Sequence, residues 1–535
     1  MGLLTVPEVP DLTSYVVLIS TIISILFIAQ IVYNLYFHPL RHIPGPFWAR
    51  ASGIPSWLQA RTGKRHLWLY QQFQVFNTNI LRVEPNLVLF RDPEAYSAIY
   101  GERSNVQRSN FYQLWCRNSQ DVNTVNAIDP AEHARKRKIL NRCFTDKSLR
   151  SALPFITSHI DRWHQLLVPS TNQSEWSDPI EISESLDGLI LDILTDLCFG
   201  KSVQIKEPND TCPNPSLKKI PHCIAQYLKF YYPICRSPLS TSLLYLKPLG
   251  LDTLFYHLAP STIKQYDSFV TTTVTSRLSQ TPSSSENPPR LDMLHFLTTP
   301  QPNTSSPPLT LPELLAESHL LIVAGSDTTS ILLSAIFFHL TSPSQSQTLR
   351  NLTHEIRTTF PTLPEISHPS PTQTPFLTKC INEALRLITP GPCELPRTVL
   401  PGGITIQNQY FPQGTTVGVS HFVTANDIEI WGEDASRYNP DRWDTMTKEQ
   451  KGAFHPFLSG PGNCAGRNLA LSEMYTVVAR TLWLFDVRRM PGSKKGGGGV
   501  GLYGLGVEEE EHFGLFDAYI ALREGPEVQF RRRVD

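Results

Sequence analysis

The sequence predicts a mainly helical globule held behind one membrane-spanning helix, and three observations carry that prediction. An uncharged apolar run lies near the N-terminus, and a long helical pattern starts at Thr310. Apolar residues at 41% against charged residues at 18% allow a sizeable core and exclude global disorder. Length alone, 535 residues, allows roughly three to four domains. The connectors, however, read as surface loops inside one large domain, and no internal repeat is found. Lys plus Arg at 47 balances Asp plus Glu at 48, so binding to nucleic acid by bulk electrostatics is excluded. Nine cysteines, an odd number without a CxxC pair, do not make a disulfide framework and place the bulk of the chain in a reducing compartment. The 44 prolines follow no period, so a collagen-like reading fails.

In chain order, the first element is Tyr15 to Tyr36, 22 residues without a charge. At helical rise it spans roughly 33 Å, enough for a single crossing. No basic stretch precedes it and no small-residue cleavage site follows, which argues against a cleaved signal. Glu8 and Asp11 precede the span while Arg41 and Arg50 follow it, so the positive-inside bias places the rest of the chain in the cytosol. The sequons at Asn172, Asn209, Asn303 and Asn351 would then stay unglycosylated. Membrane lipid is the first expected partner. His38-Pro39 and Ile43-Pro44-Gly45-Pro46 form a stiff elbow after the span. The basic cluster from His133 to Arg150 reads as a solvated helix face.

The long helix opens with Thr310-Leu-Pro-Glu313, which has capping-box spacing with Pro in the first turn, and runs to about His339. It is apolar on most faces and therefore buried. At its middle, Ala324-Gly325-Ser326-Asp327-Thr328-Thr329 reads equally as a packing notch or as a helix distortion aiming an acid and an alcohol into a cavity. A shorter helix is predicted from Thr374 as cap and Pro375 in the first turn, ending before Pro390. It carries Glu383 and Arg386 on one face at i, i+3 spacing, which on a surface would be worth little. Tyr438-Asn-Pro-Asp-Arg442-Trp443 supplies a further Arg. The sharpest signal is Phe457-Leu-Ser-Gly460-Pro-Gly462-Asn-Cys464-Ala-Gly466-Arg467, a glycine-rich loop that presents one Cys before a helix running to about Leu484. There the helix dipole and free N–H groups favour the thiolate, which suits a soft axial ligand to haem iron. Gly499-Val-Gly501-Leu-Tyr-Gly504 matches a dinucleotide fingerprint but follows no strand and opens no helix, so it reads as a loop.

These motifs, in this order and spacing, resemble the cytochrome P450 family from about Pro39 to the C-terminus. The HPLRHIPGP elbow, the AEHARKRKIL segment and the GPEVQFRRR ending resemble membrane-bound fungal members. The resemblance implies a mainly α fold with a small β-sheet subdomain near the N-terminal side. Residues 1–37 would be lumenal tip and anchor, and 38–535 the haem domain, on the cytosolic face of the endoplasmic reticulum. It implies haem b as cofactor with Cys464 as axial ligand inside a loop shaped by Phe457, Gly460 and Gly466. Glu383, Arg386 and Arg442 would form a structural triad, and Asp327 with Thr328 the acid–alcohol pair delivering protons. His133, Arg137 and Arg397 would hold the haem propionates. The family's loop has Arg where this chain has Gly462, so that load would fall on those three, and Gly462→Arg is expected to slow haem loss.

The activity implied is monooxygenation of a hydrophobic small molecule by O2, with electrons from a separate NADPH–cytochrome P450 reductase steered by Lys136, Lys138 and Lys147. Leu320, Leu321 and Ala324, with Gly391 to Leu395, would line a pocket for a terpenoid, polyketide or alkaloid of secondary metabolism. A haem-thiolate isomerase or dehydratase, which needs no O2, and a non-catalytic haem-binding protein are the alternatives.

Overall fold

The computed structural model describes residues 12–168, 175–279, 291–299, 307–367, 370–498 and 510–534. The motif from Gly499 to Gly504 and the sequons at Asn172 and Asn303 lie outside them; Asn209 and Asn351 are exposed. The helix Leu12–Val32 continues into a π-turn, Tyr33–Phe37. The span Thr13–Phe37 has a mean hydropathy of 2.5 and turns its apolar side chains outward, as fits a single membrane anchor. Its last turn already belongs to the globule. The Asn34 side-chain amide donates to the Ala51 carbonyl (2.9 Å), and Arg82 Nη1 donates to the Asn34 carbonyl (3.0 Å). The proline elbow then presses on the sheet. A Cβ on Gly45 would stand 2.1 Å from the Arg82 carbonyl oxygen, so only glycine fits.

A five-stranded sheet runs in the order Ile80–Glu84, Leu87–Phe90, Thr416–Val419, Arg397–Val399 and Val106–Arg108. Only the Leu87–Phe90 and Thr416–Val419 pair is parallel. Three strands come from the N-terminal part, and two are inserted from far along the chain. In the last pair Arg108 stands in register with Arg397.

The remainder is helical and built around Leu311–Leu340, whose capping box at Thr310 and Glu313 forms as predicted. Helix Ile182–Phe199 packs along it, and the largest apolar core surrounds the two. Helix Pro375–Leu387 also has its predicted bounds but not its predicted cap. The Glu355 carboxylate accepts from the Phe376 and Leu377 N–H groups, while the Thr374 hydroxyl turns back to Ser370. The basic cluster is not a uniformly solvated face. Lys136 is buried with Nζ 2.9 Å from Glu313, fastening helix Pro130–Leu140 to the start of the long helix, while Lys138 and Lys147 remain exposed. All nine cysteines are free thiols.

Candidate functional site

The Cys loop folds as a tight arch between a helical turn, Gly460–Gly462, and the helix Arg467–Leu484. The Cys464 N–H donates to the Phe457 carbonyl (2.8 Å), closing the arch. Gly460 has φ of 62°, and a Cβ there would stand 2.2 Å from the Tyr100 carbonyl oxygen, so glycine is required on both counts. Cys464 is exposed whereas the other eight cysteines are buried. Its exposure is toward an interior cavity of 370 Å³. Enclosure pushes the thiol pKa up, and the N–H groups of Gly466 and Arg467 and the Arg137 guanidinium pull it back. Phe457 and Gly466 line the same cavity.

The opposite wall is the long helix, where Leu320, Leu321, Ala324 and Thr328 face the cavity, joined by Gly391 and Leu395. Residues between the last two turn away: Cys393 meets Asp517, and Glu394 pairs with Arg65 and Arg236. The helix is regular throughout, so of the two readings of this segment the distortion is absent, and the Thr328 hydroxyl donates to the Ala324 carbonyl (2.6 Å). Thr328 thus faces the cavity while Asp327, its neighbour, is buried behind that wall. Burial, reinforced by Asp187, raises the Asp327 carboxyl to about 7, and Arg523 opposes it. On the helix after the loop, Glu473 also reaches the cavity. Burial lifts its carboxyl to about 8, opposed by a hydrogen bond from Thr329.

Glu383 and Arg386 are fully buried and not a surface pair. Arg386 Nη2 donates to Glu383 Oε1 (2.7 Å) and Nε to Oε2 (3.0 Å). Arg442 Nε shares Oε1 (3.0 Å), and the Trp443 indole donates to Oε2 (3.1 Å). The Trp443 ring lies 4.5 Å from that of Phe454, ten residues before Cys464. The triad therefore anchors the segment from which the Cys loop is suspended.

A cluster of cations borders the cavity at the sheet end. Arg397 is held by the Tyr112 hydroxyl (3.1 Å) and the carbonyls of Leu395 and Pro396 (both 3.2 Å). Arg137 donates to the carbonyl and side-chain oxygens of Asn463 (2.5 and 2.6 Å), next to Cys464. His133 stands behind, 3.1 Å from Arg108, and burial and the three arginines lower its pKa to about 4. It is neutral, and Arg108 rather than His133 lines the cavity. Arg108 was missed by sequence reasoning because it lies in a three-residue strand with no motif around it, as was Glu473, which reads as one more polar residue on a helix. Gly462 does not need positive φ, but a Cβ there would come within 3.1 Å of Arg397 Nη2.

Comparison with known proteins agrees with this geometry. The sequence model of the family described as "Cytochrome P450" matches residues 43–496. Cytochrome P450 monooxygenase sthF of Phaeosphaeria nodorum is 30% identical, over 90% of this chain and 91% of its own. Cytochrome P450 monooxygenase poxM of Penicillium oxalicum is 28% identical, over 96% and 94%. The Fusicoccadiene 8-ol C-16 hydroxylase of Alternaria brassicicola is 28% identical, over 90% and 94%.

Proposed function

The chain belongs to the cytochrome P450 family, oxidoreductases whose cofactor is cysteine-ligated haem b, and from that premise we propose a membrane-anchored monooxygenase acting on a hydrophobic small molecule of fungal secondary metabolism. The observation that carries the reading is Cys464, the one exposed thiol, at the floor of a cavity whose opposite wall presents Thr328. The donor set fits haem b. Cys464 would offer a thiolate to iron; Arg108 and Arg137 line one edge of the cavity and Arg397 stands beside Gly462 there, without a carboxylate partner among the described residues, where two propionates would be met.

Haem, when bound, supplies dioxygen activation. The chain's part is to hold and protect it. Glu383, Arg386 and Arg442 fix the segment behind the loop, and Gly460 lets that segment pass under Tyr100. Leu320, Leu321, Ala324 and Leu395 exclude water and orient an apolar substrate. The Thr328 hydroxyl holds a proton at the cavity wall, and Asp327 behind it is the acid that resupplies it. One relative's name states hydroxylation of fusicoccadiene 8-ol, and the lining here suits a substrate of comparable apolarity. Electrons come from a separate NADPH–cytochrome P450 reductase, steered by Lys138 and Lys147 rather than by buried Lys136. The anchor places the globule on the cytosolic face of the endoplasmic reticulum, with Asn209 and Asn351 unglycosylated.

Reconstitution with reductase, NADPH and a panel of terpenoid, polyketide and alkaloid substrates tests the activity. Reduced protein under carbon monoxide should show the red-shifted band of thiolate-ligated haem, and Cys464→Ala should remove it. A band that survives in that variant overturns the assignment. Product formation without O2 would revive the isomerase reading.

A further inference from the structure

The buried face of the long helix opposite the cavity carries a polar network of its own. Ser330, one turn after Asp327 and on its side of the helix, donates to Asp187 Oδ1 (2.7 Å). Arg523 Nη2 donates to the same oxygen (2.7 Å) and to the Ser330 hydroxyl (2.7 Å), and its Nε reaches Ser334 (3.4 Å). Asp187 belongs to helix Ile182–Phe199, and Arg523 to the C-terminal segment, so three distant stretches of chain meet here. Among the described residues, Asp327 receives only a 3.3 Å contact from Ser326 on Oδ1, and its Oδ2 is buried without a protein partner. The Asp187 side chain is 20% exposed, so this network reaches solvent where Asp327 does not.

We propose that Asp187 and Arg523 are positioning residues that connect Asp327 to solvent, so that protons consumed at the cavity are replaced along this face of the long helix. The inference rests on the reading of Asp327 and Thr328 as the proton-delivering pair. At each transfer one O–H bond breaks at the donor carboxyl as one forms at the acceptor. Solvent supplies the proton, and no electrons move. Arg523 offsets the repulsion between the two neighbouring acids, Asp187 and Asp327. Other groups face Asp327 less directly: Tyr266 from helix Ser261–Ser279 senses its charge, and Glu473 reaches Thr329 from helix Arg467–Leu484. The upward shift of Asp327 has Asp187 as its largest charge contribution, with Arg523 opposing, so the two neighbours act with opposite sign.

The test uses the full-length holoenzyme with reductase, NADPH as the only added reactant, and Asp327→Asn as reference. Two readouts are taken: the carboxyl stretch that Asp327→Asn removes from the infrared difference spectrum, titrated with pH, and the solvent deuterium effect on NADPH-driven oxygen consumption. Asp187→Asn should move that titration to lower pH and Arg523→Gln to higher pH, with Arg523→Lys close to wild type. Both disruptive variants should enlarge the isotope effect. Ser330→Ala, which removes a single hydroxyl and little packing, should enlarge it too and serves if either charge variant folds poorly. If these variants leave both readouts unchanged while Asp327→Asn alters the isotope effect, the route is wrong and the proton-delivery reading stands. If Asp327→Asn itself leaves the isotope effect unchanged, the underlying reading falls and the route with it.

Discussion

Arg108, on an edge strand of the five-stranded sheet, stands directly opposite Arg397 on the neighbouring strand. Like charges in register on neighbouring strands repel, and the described contacts of both are to carbonyls, a phenol and an imidazole rather than to a carboxylate. Burial, with Arg397 adding to it, lowers the Arg108 guanidinium to about 10. Such a pair is costly unless an anion enters between them, which is what two haem propionates would provide.

Arg108→Ala should therefore have opposite effects on the two forms of the protein. Without haem, removing one of two facing charges should leave the melting temperature unchanged or raised. With haem, loss to an apo-globin trap should quicken about tenfold, the equivalent of one charge-assisted hydrogen bond. The carbon monoxide band of the retained haem should stay, because the thiolate is untouched. Haem loss at the wild-type rate would remove Arg108 from the propionate site.

Gly462→Arg, expected from the sequence to slow haem loss, should now hasten it. The space that the family's Arg would fill is taken: Arg397 Nη2 lies 3.1 Å from where a Cβ would be placed. The new side chain and Arg397 would compete for one position and one sign of charge. Arg397→Ala in the same chain should recover part of the loss, and a double-mutant cycle on haem transfer measures that coupling. Purely additive effects would show that the two positions do not share the site.

How much of this was legible in the sequence depended on how local each signal is. The cap at Thr310, the uncharged anchor and the loop around Cys464 are short-range patterns, and they fold as read, whereas the cap expected at Thr374 is replaced by the distant Glu355. The triad's parts were visible, but its burial was not, since Glu383 and Arg386 at i, i+3 look the same on a surface as in a core. Relationships set by tertiary packing stayed hidden. Arg108 acquires its meaning only when its strand pairs with one nearly three hundred residues later, and Asp327 and Thr328 separate onto two faces only when the helix has a cavity on one side. Lys136 misled because a run of basic residues gives no sign of which one turns inward to Glu313.

Stability should fall as pH rises through the neutral range, and Glu473 should account for part of the fall. Burial raises its carboxyl from the ordinary 4.5 to about 8. The folded state then holds a proton that the unfolded chain releases near its ordinary value, so this contribution is complete below that value and is lost as pH passes 8. Glu473→Gln keeps the shape and removes the titration. Its melting temperature should change less between about pH 5 and pH 8 than that of wild type, the range between the unfolded and folded carboxyl values. Equal pH dependence in the two proteins would place the responsible group elsewhere, with Glu317, also raised to about 7, the next to test.

Removal of the anchor should not by itself free the protein from membranes. The apolar stretch from Ile220 to Tyr232 offers no second contact, because Ile220, Ile224, Leu228 and Tyr232 are buried in the core. The exposed apolar surface lies further on, where Leu239, Tyr245, Leu246, Leu249 and Leu258 face outward, Leu249 at 80% exposure. It adjoins a second group near the anchor's exit, Trp48, Ile54 and Leu58, because Gly53 packs against Pro238 and the Trp57 indole donates to the Pro233 carbonyl. An apolar face next to the N-terminal apolar helix would meet the same lipid surface. The cut should fall after Val32, since Asn34 and Leu35 are packed into the globule and a cut after Phe37 would remove them. The shortened chain should float with neutral phosphatidylcholine vesicles, and Leu246→Glu with Leu249→Glu should release it while the carbon monoxide band is kept. If the shortened chain stays in solution without those changes, this face is not a lipid contact.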